Sequence, residues 1–174
     1  MLRNSTKTAS FFLIVTATVI FSLFLAGVTA AQDNAVGIAG AQSKLNNTRL
    51  GKGALQNNTT GFDNTAIGAD ALFLNNTGSE NTATGANALR DNTTGSFNTA
   101  AGGNALQSNT TGENNTASGV NALFSSTTSS LNTADGFQAL FHNTTGDQNT
   151  AIGVQALFSN TTRFFFGVAT KRAL

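Results

Sequence analysis

The sequence predicts a mainly all-β fold, a parallel β-solenoid or β-roll of seven coils with 17 residues in each. Three observations predict it. Asn-Thr-Ala, with Arg49 in place of Ala in the first copy, starts at Asn47, Asn64, Asn81, Asn98, Asn115, Asn132 and Asn149, a constant step of 17 without insertion. Glycine holds the fifth place of every copy, from Gly51 to Gly153, as a corner residue would. Ala-Leu fills places eight and nine throughout, as in Ala71-Leu72 and Ala139-Leu140, so the same apolar groups return once per lap.

Taken in order, the chain opens with a predicted signal helix over residues 1–31. Arg3 and Lys7 precede an uncharged apolar run from Phe11 to Gly27, and Val28-Thr29-Ala30 supplies the small residues of a cleavage site. The alternative is an uncleaved membrane anchor, since the run approaches spanning length. Residues 32–46 form a Gly- and Ala-rich linker or a degenerate capping coil. The seven repeats occupy 47–162, and 163–174 is a C-terminal tail in which the pattern gives way to Arg163-Phe164-Phe165-Phe166-Gly167. That apolar tail is poorly suited to shielding a sheet edge, and it fits either a truncated array or docking on a partner chain.

Within the repeat, Thr-Ala-x at places two to four has β character, clearest at Thr65-Ala66-Ile67 and Thr150-Ala151-Ile152. Asn at places one and twelve can stack on its copy in the next coil and form amide ladders. Thr65, Thr82, Thr99, Thr116, Thr133 and Thr150 are candidate ladder threonines at place two, with further threonine columns at thirteen and fourteen. Adjacent Ala-Leu is awkward in a strand, where neighbours face opposite ways, so this stretch is either split between two packing partners or wound as a short helical turn. The core is thin. Phe73, Phe124, Phe141 and Phe158 recur at place ten, with Phe97, Leu131 and Phe165 at place seventeen, either folding over the coil's own edge or forming an apolar assembly stripe between subunits.

Composition narrows the function. Without the leader, seven basic and eight acidic residues remain, and Arg90 is the one basic residue between Asn64 and Thr162. A nucleic-acid partner needs a basic stripe and is not expected, nor is a polybasic membrane patch. Contact with a membrane is expected only through the N-terminal segment, if uncleaved. There is no cysteine, so stability must come from stacking rather than disulfides.

No catalytic constellation is visible. His142 is the single histidine and reads as a solvated turn residue, and no second histidine or cysteine completes a zinc or nucleophile set. The aspartates Asp63, Asp70, Asp91, Asp135 and Asp147 occupy five different places in the repeat, which argues against coil-by-coil calcium. No enzyme activity and no cofactor are expected. Asn-x-Thr triplets such as Asn92-Thr93-Thr94 and Asn143-Thr144-Thr145 match glycosylation acceptors, although ladder and turn chemistry also accounts for them.

The unit Asn64-Thr65-Ala66-Ile67-Gly68 followed by Ala71-Leu72, with its six sisters, resembles repeats of bacterial surface and phage tail-fibre-like proteins. It is also similar to the head repeats of trimeric autotransporter adhesins, in which an A-I-G-x-x-A core recurs. The resemblance covers Asn47 to Thr162. It implies a left-handed parallel β-roll, a homo-oligomer (a trimer), and binding to host or cell-surface molecules. The chain departs from the adhesins in its longer period, its lack of coiled-coil heptads and its lack of a C-terminal membrane barrel. The expectation is therefore a secreted or cell-surface structural repeat protein, adhesin-like, that binds through the side of the solenoid. The alternatives are an ice-binding protein using threonine ladders and a fragment of a longer fibre.

Overall fold

A computed structural model of the protein describes residues 45–162, 164 and 168–169. Residues 1–31, expected to be a signal segment, residues 32–44 of the linker and most of the tail lie outside the described residues. Seven three-residue strands repeat once per lap: β1 (Thr48–Leu50), β2 (Thr65–Ile67), β3 (Thr82–Thr84), β4 (Thr99–Ala101), β5 (Thr116–Ser118), β6 (Thr133–Asp135) and β7 (Thr150–Ile152). An eighth, β8 (Val168–Ala169), follows. All lie parallel in one sheet in chain order. Thr faces Thr and Ala faces Ala in every pairing from Thr65↔Thr82 to Thr133↔Thr150. Each 17-residue block is thus one coil resting on an equivalent coil, at the roughly 4.8 Å spacing of paired strands.

β8 lies within the tail expected to break the pattern. Val168 pairs with Thr150 and Ala169 with Ala151, so the step lengthens by one residue while the alanine column continues. At the other end, the Asp63 amide donates to the Leu45 carbonyl at 2.8 Å, as Glu80 does to Phe62 one coil later. The coil path therefore already includes the last residues before Asn47.

Outside the strands, hydrogen bonds between coils continue around the lap. Gly68 and Asp70 donate back to Leu50 and Lys52 (2.7 and 2.8 Å), while Leu72 and Leu74 donate forward to Ala88 and Arg90 (3.0 and 2.9 Å). The backbone polar groups of a narrow coil are satisfied in this way. No α-helix occurs among the described residues, so the Ala-Leu stretch is neither a second strand nor a helical turn.

It is a turn of alternating hand. The residues at places seven and nine have positive φ, for example Asp70 at 55° and Leu72 at 51°. This reversal on either side of Ala71 brings Ala and Leu inward together, and both are fully buried. A left-handed leucine costs about 1–2 kcal/mol. Burying its side chain returns about 1.5–3 kcal/mol, so the exchange is favourable.

The two glycine places differ in cause. At place five, Gly102 has φ of +144°, and an added Cβ would lie 2.5 Å from the Gly119 carbonyl oxygen, so handedness and close approach act together. At Gly95, in place fifteen, the approach alone excludes a side chain. A Cβ on Gly95 would meet the Gly112 carbonyl oxygen at 2.4 Å and the Asn92 amide oxygen at 2.5 Å.

Among the described residues, Ala at three and eight and Leu at nine form the apolar core. Asparagine completes the interior. Asn81 accepts at its amide oxygen from both the backbone (3.0 Å) and the side-chain amide (3.2 Å) of Asn98, whose side chain also donates to Gly112 (2.8 Å). The second ladder runs through Asn58, Asn75, Asn92 and Asn109 with amide-to-amide bonds of 2.7–2.8 Å. Both ladders match the expectation for places one and twelve. Buried amides are tolerable only when bonded, and stacking identical coils bonds them.

Candidate binding faces

With Ala, Leu and both asparagine columns turned inward, the remaining side chains define the outer faces. The threonines at place two, Thr65, Thr82, Thr99, Thr116, Thr133 and Thr150, form one straight column on the outer side of the sheet, half-exposed or exposed. Their hydroxyls are not used in bonds to other described residues. Threonines at place thirteen behave differently. Thr93 and Thr110 each donate through Oγ1 to the backbone carbonyl of the next coil's threonine at 2.9 Å, so these hydroxyls belong to the fold.

Phe73, Phe124, Phe141 and Phe158 all occupy the same column and are half-buried. Phe124, Phe141 and Phe158 stack face to face with centroids 5.0 and 5.2 Å apart. Phe73 stands apart from this stack because Arg90 and Gln107 fill the two coils between. The stacking covers both faces of the central Phe141 ring. His142 sits on this column, edge-on to Phe141 and Phe158 at 4.8 and 4.9 Å. Its side is exposed.

The structure adds two features of the outer faces to the sequence reading, one of them extending the apolar residues noted at place seventeen. Place seven carries a third amide ladder, with Asn87 donating to Asn104 (3.1 Å), Asn104 to Asn121 (3.0 Å) and Gln155 to Gln138 (3.0 Å). Its signal was available, because Gly53, Asp70, Asn87, Asn104 and Asn121 are the residue types that best tolerate a left-handed backbone. The other is the corner at places sixteen and seventeen, where acidic and large apolar residues take turns along the rod.

The Asn-x-Thr triplets at place twelve divide from the rest on burial. Asn92 and Asn143 are fully buried, and the Asn92 amide nitrogen donates to Asn75 (2.7 Å) and Gly95 (2.9 Å). A sugar on that nitrogen is incompatible with the folded coil.

Among the described residues no group of three His, Cys, Asp or Glu side chains could hold a metal ion, and no helix is long and apolar enough to cross a membrane. In comparisons with protein-family models, curated proteins and solved structures, the chain matches none. What the geometry defines is a class: a parallel β-solenoid repeat protein with about 17 residues per turn.

Proposed function

We propose that the chain is a structural repeat protein, secreted or displayed on the cell surface, that binds other molecules through the side of its solenoid. One observation carries this reading: variation between coils is concentrated on the outside, with the buried pair Ser126 and Ser129 as the exception. Places one, three, five, eight and nine, which close the coil and fill it, are nearly invariant from copy to copy, whereas four, six, ten, eleven, sixteen and seventeen change freely and face outward or partly so. A stacked scaffold needs its interior repeated and leaves its surface free to be written for a partner. The apolar leader supports export, and the resemblance to adhesin head repeats supports display and self-association. The test is fractionation of cells producing the full chain, with protease added to intact cells. Protected cytosolic protein would overturn the reading, and light scattering on the mature chain reads its assembly.

A second reading, ice binding, is supported by the place-two threonines, whose hydroxyls stand in register at about 4.8 Å with no partner in the fold. Place four weakens it. That column alternates with the threonines along each strand and is exposed, yet it holds Leu50, Ile67, Thr84, Ala101, Ser118, Asp135 and Ile152. Thermal hysteresis at high protein concentration separates the two readings; its absence removes this one.

A further inference from the structure

The corner at places sixteen and seventeen carries a pattern with twice the repeat length. Large, exposed apolar residues stand there on alternate coils, Phe97 and Leu131 at place seventeen and Phe62 and Phe164 at place sixteen. The coils between present Glu80, Glu113 and Asp147, all exposed, and Asp63 adds a fourth carboxylate beside Phe62. The described basic residues, Arg49, Lys52 and Arg90, lie at places three, six and ten, away from this corner. The single ion pair among the described residues joins Arg90 to Asp91. Over the described residues the corner is therefore acidic and apolar.

Neither local conformation nor burial accounts for the apolar members. Phe97 and Leu131 have φ of 60° and 61°, where the other described coils place Asp, Glu, Asn or Gln. Bulky residues are disfavoured there. The leucines at place nine accept the same backbone because they are fully buried, yet Phe97 and Leu131 remain 52% and 53% exposed. The fold gains nothing evident from them.

We propose that this corner is a docking ridge for an extended, cationic polypeptide segment with an apolar residue at every third position. Charge complementarity selects a cationic partner, and the apolar members need apolar groups in step with them. Two coils advance about 9.6 Å. Three residues of polyproline II advance about 9.3 Å, within about 0.3 Å of the two-coil step that separates Phe97 from Leu131 at the same place. Seven residues of an α-helix advance about 10.5 Å and overshoot that step by about 0.9 Å. A β-strand repeats each face at about 6.8 Å and falls out of step at once.

This proposal deepens the scaffold reading and rests on it, but export and peptide binding are read separately, so either can fail alone. The experiment titrates the full chain with a labelled peptide of four Leu-Lys-Pro units, with Leu-Glu-Pro units as the control. Saturable binding of the lysine peptide is expected, weakening with added salt. It should fall at least about tenfold in the Phe97→Asn/Leu131→Asn double variant and again in Glu80→Gln/Glu113→Gln. Phe137→Thr, at an exposed apolar residue on place six, should leave it unchanged. Asparagine already occupies place seventeen at Asn114 with φ of 57°, so the double variant should melt no lower than the wild type. Failure of the lysine peptide to bind, equal binding of the glutamate peptide, or binding that survives Phe97→Asn/Leu131→Asn would each overturn the proposal.

Discussion

Ser126 Oγ and Ser129 Oγ lie 2.6 Å apart inside the fifth coil, where the first four coils and the sixth set an asparagine against a glycine. The two substitutions belong together. With asparagine at place twelve, a Cβ at fifteen would sit 2.4–2.6 Å from its amide oxygen, as at Gly112 and Gly78. Serine at 126 vacates that space, and the Ser129 hydroxyl takes over as acceptor from Asn143 at 3.3 Å. The replacement is incomplete: the Asn109 amide oxygen is buried with no hydrogen-bond donor.

Restoring both residues should therefore stabilise the rod. Ser126→Asn/Ser129→Gly returns a donor to Asn109 and should add about 1–2 kcal/mol in chemical denaturation. Ser126→Asn alone should lose stability by clashing at Ser129. A double-mutant cycle with a clear coupling energy is the expected outcome, and simple additivity would refute the pairing.

Gly102 and Gly103 are neighbours with opposite requirements. Gly102→Val should cost several kcal/mol, because a Cβ there meets the Gly119 carbonyl at 2.5 Å on a backbone with φ of +144°. At Gly103 the nearest atom to a new Cβ is 4.0 Å away, so Gly103→Ala should be neutral or stabilise by up to about 1 kcal/mol. Paired melting curves check both.

Leu106 is fully buried with φ of 52°. Leu106→Ala should lose about 2–5 kcal/mol. Leu106→Asp should abolish the fold, because an unpaired charge would replace the apolar centre of the coil. Circular dichroism at 25 °C and a denaturant titration distinguish the two outcomes.

Removing residues 81–97 deletes one whole coil and rejoins equivalent positions, so Asn98 takes over the place of Asn81 on the Asn64 ladder. The shortened rod should fold with a modest loss of stability. Removing eight residues from the same coil leaves no register in which both ladders and the leucine column align, and should unfold at least that region. Hydrogen exchange on the two variants provides the measurement.

The sequence by itself determined the lap. A constant period with Gly, Ala-Leu and Asn at fixed places left only a stacked arrangement in which every copy meets its counterpart, and the β-solenoid, the asparagine ladders and the glycine corners all follow from it. The tertiary structure decided the path within the lap. Leu72 points inward beside Ala71 because its backbone turns left-handed, and propensity gives no warning, since leucine avoids that region unless burial offsets the cost. Only the fold separated the hydroxyl of Thr110, bound into the coil above, from that of Thr99, which faces outward. Only the fold placed Phe97 and Glu113 on one corner. Their places in the repeat differ by one, and whether adjacent residues share a face depends on the sign of φ between them, which the alternation of residue types does not encode.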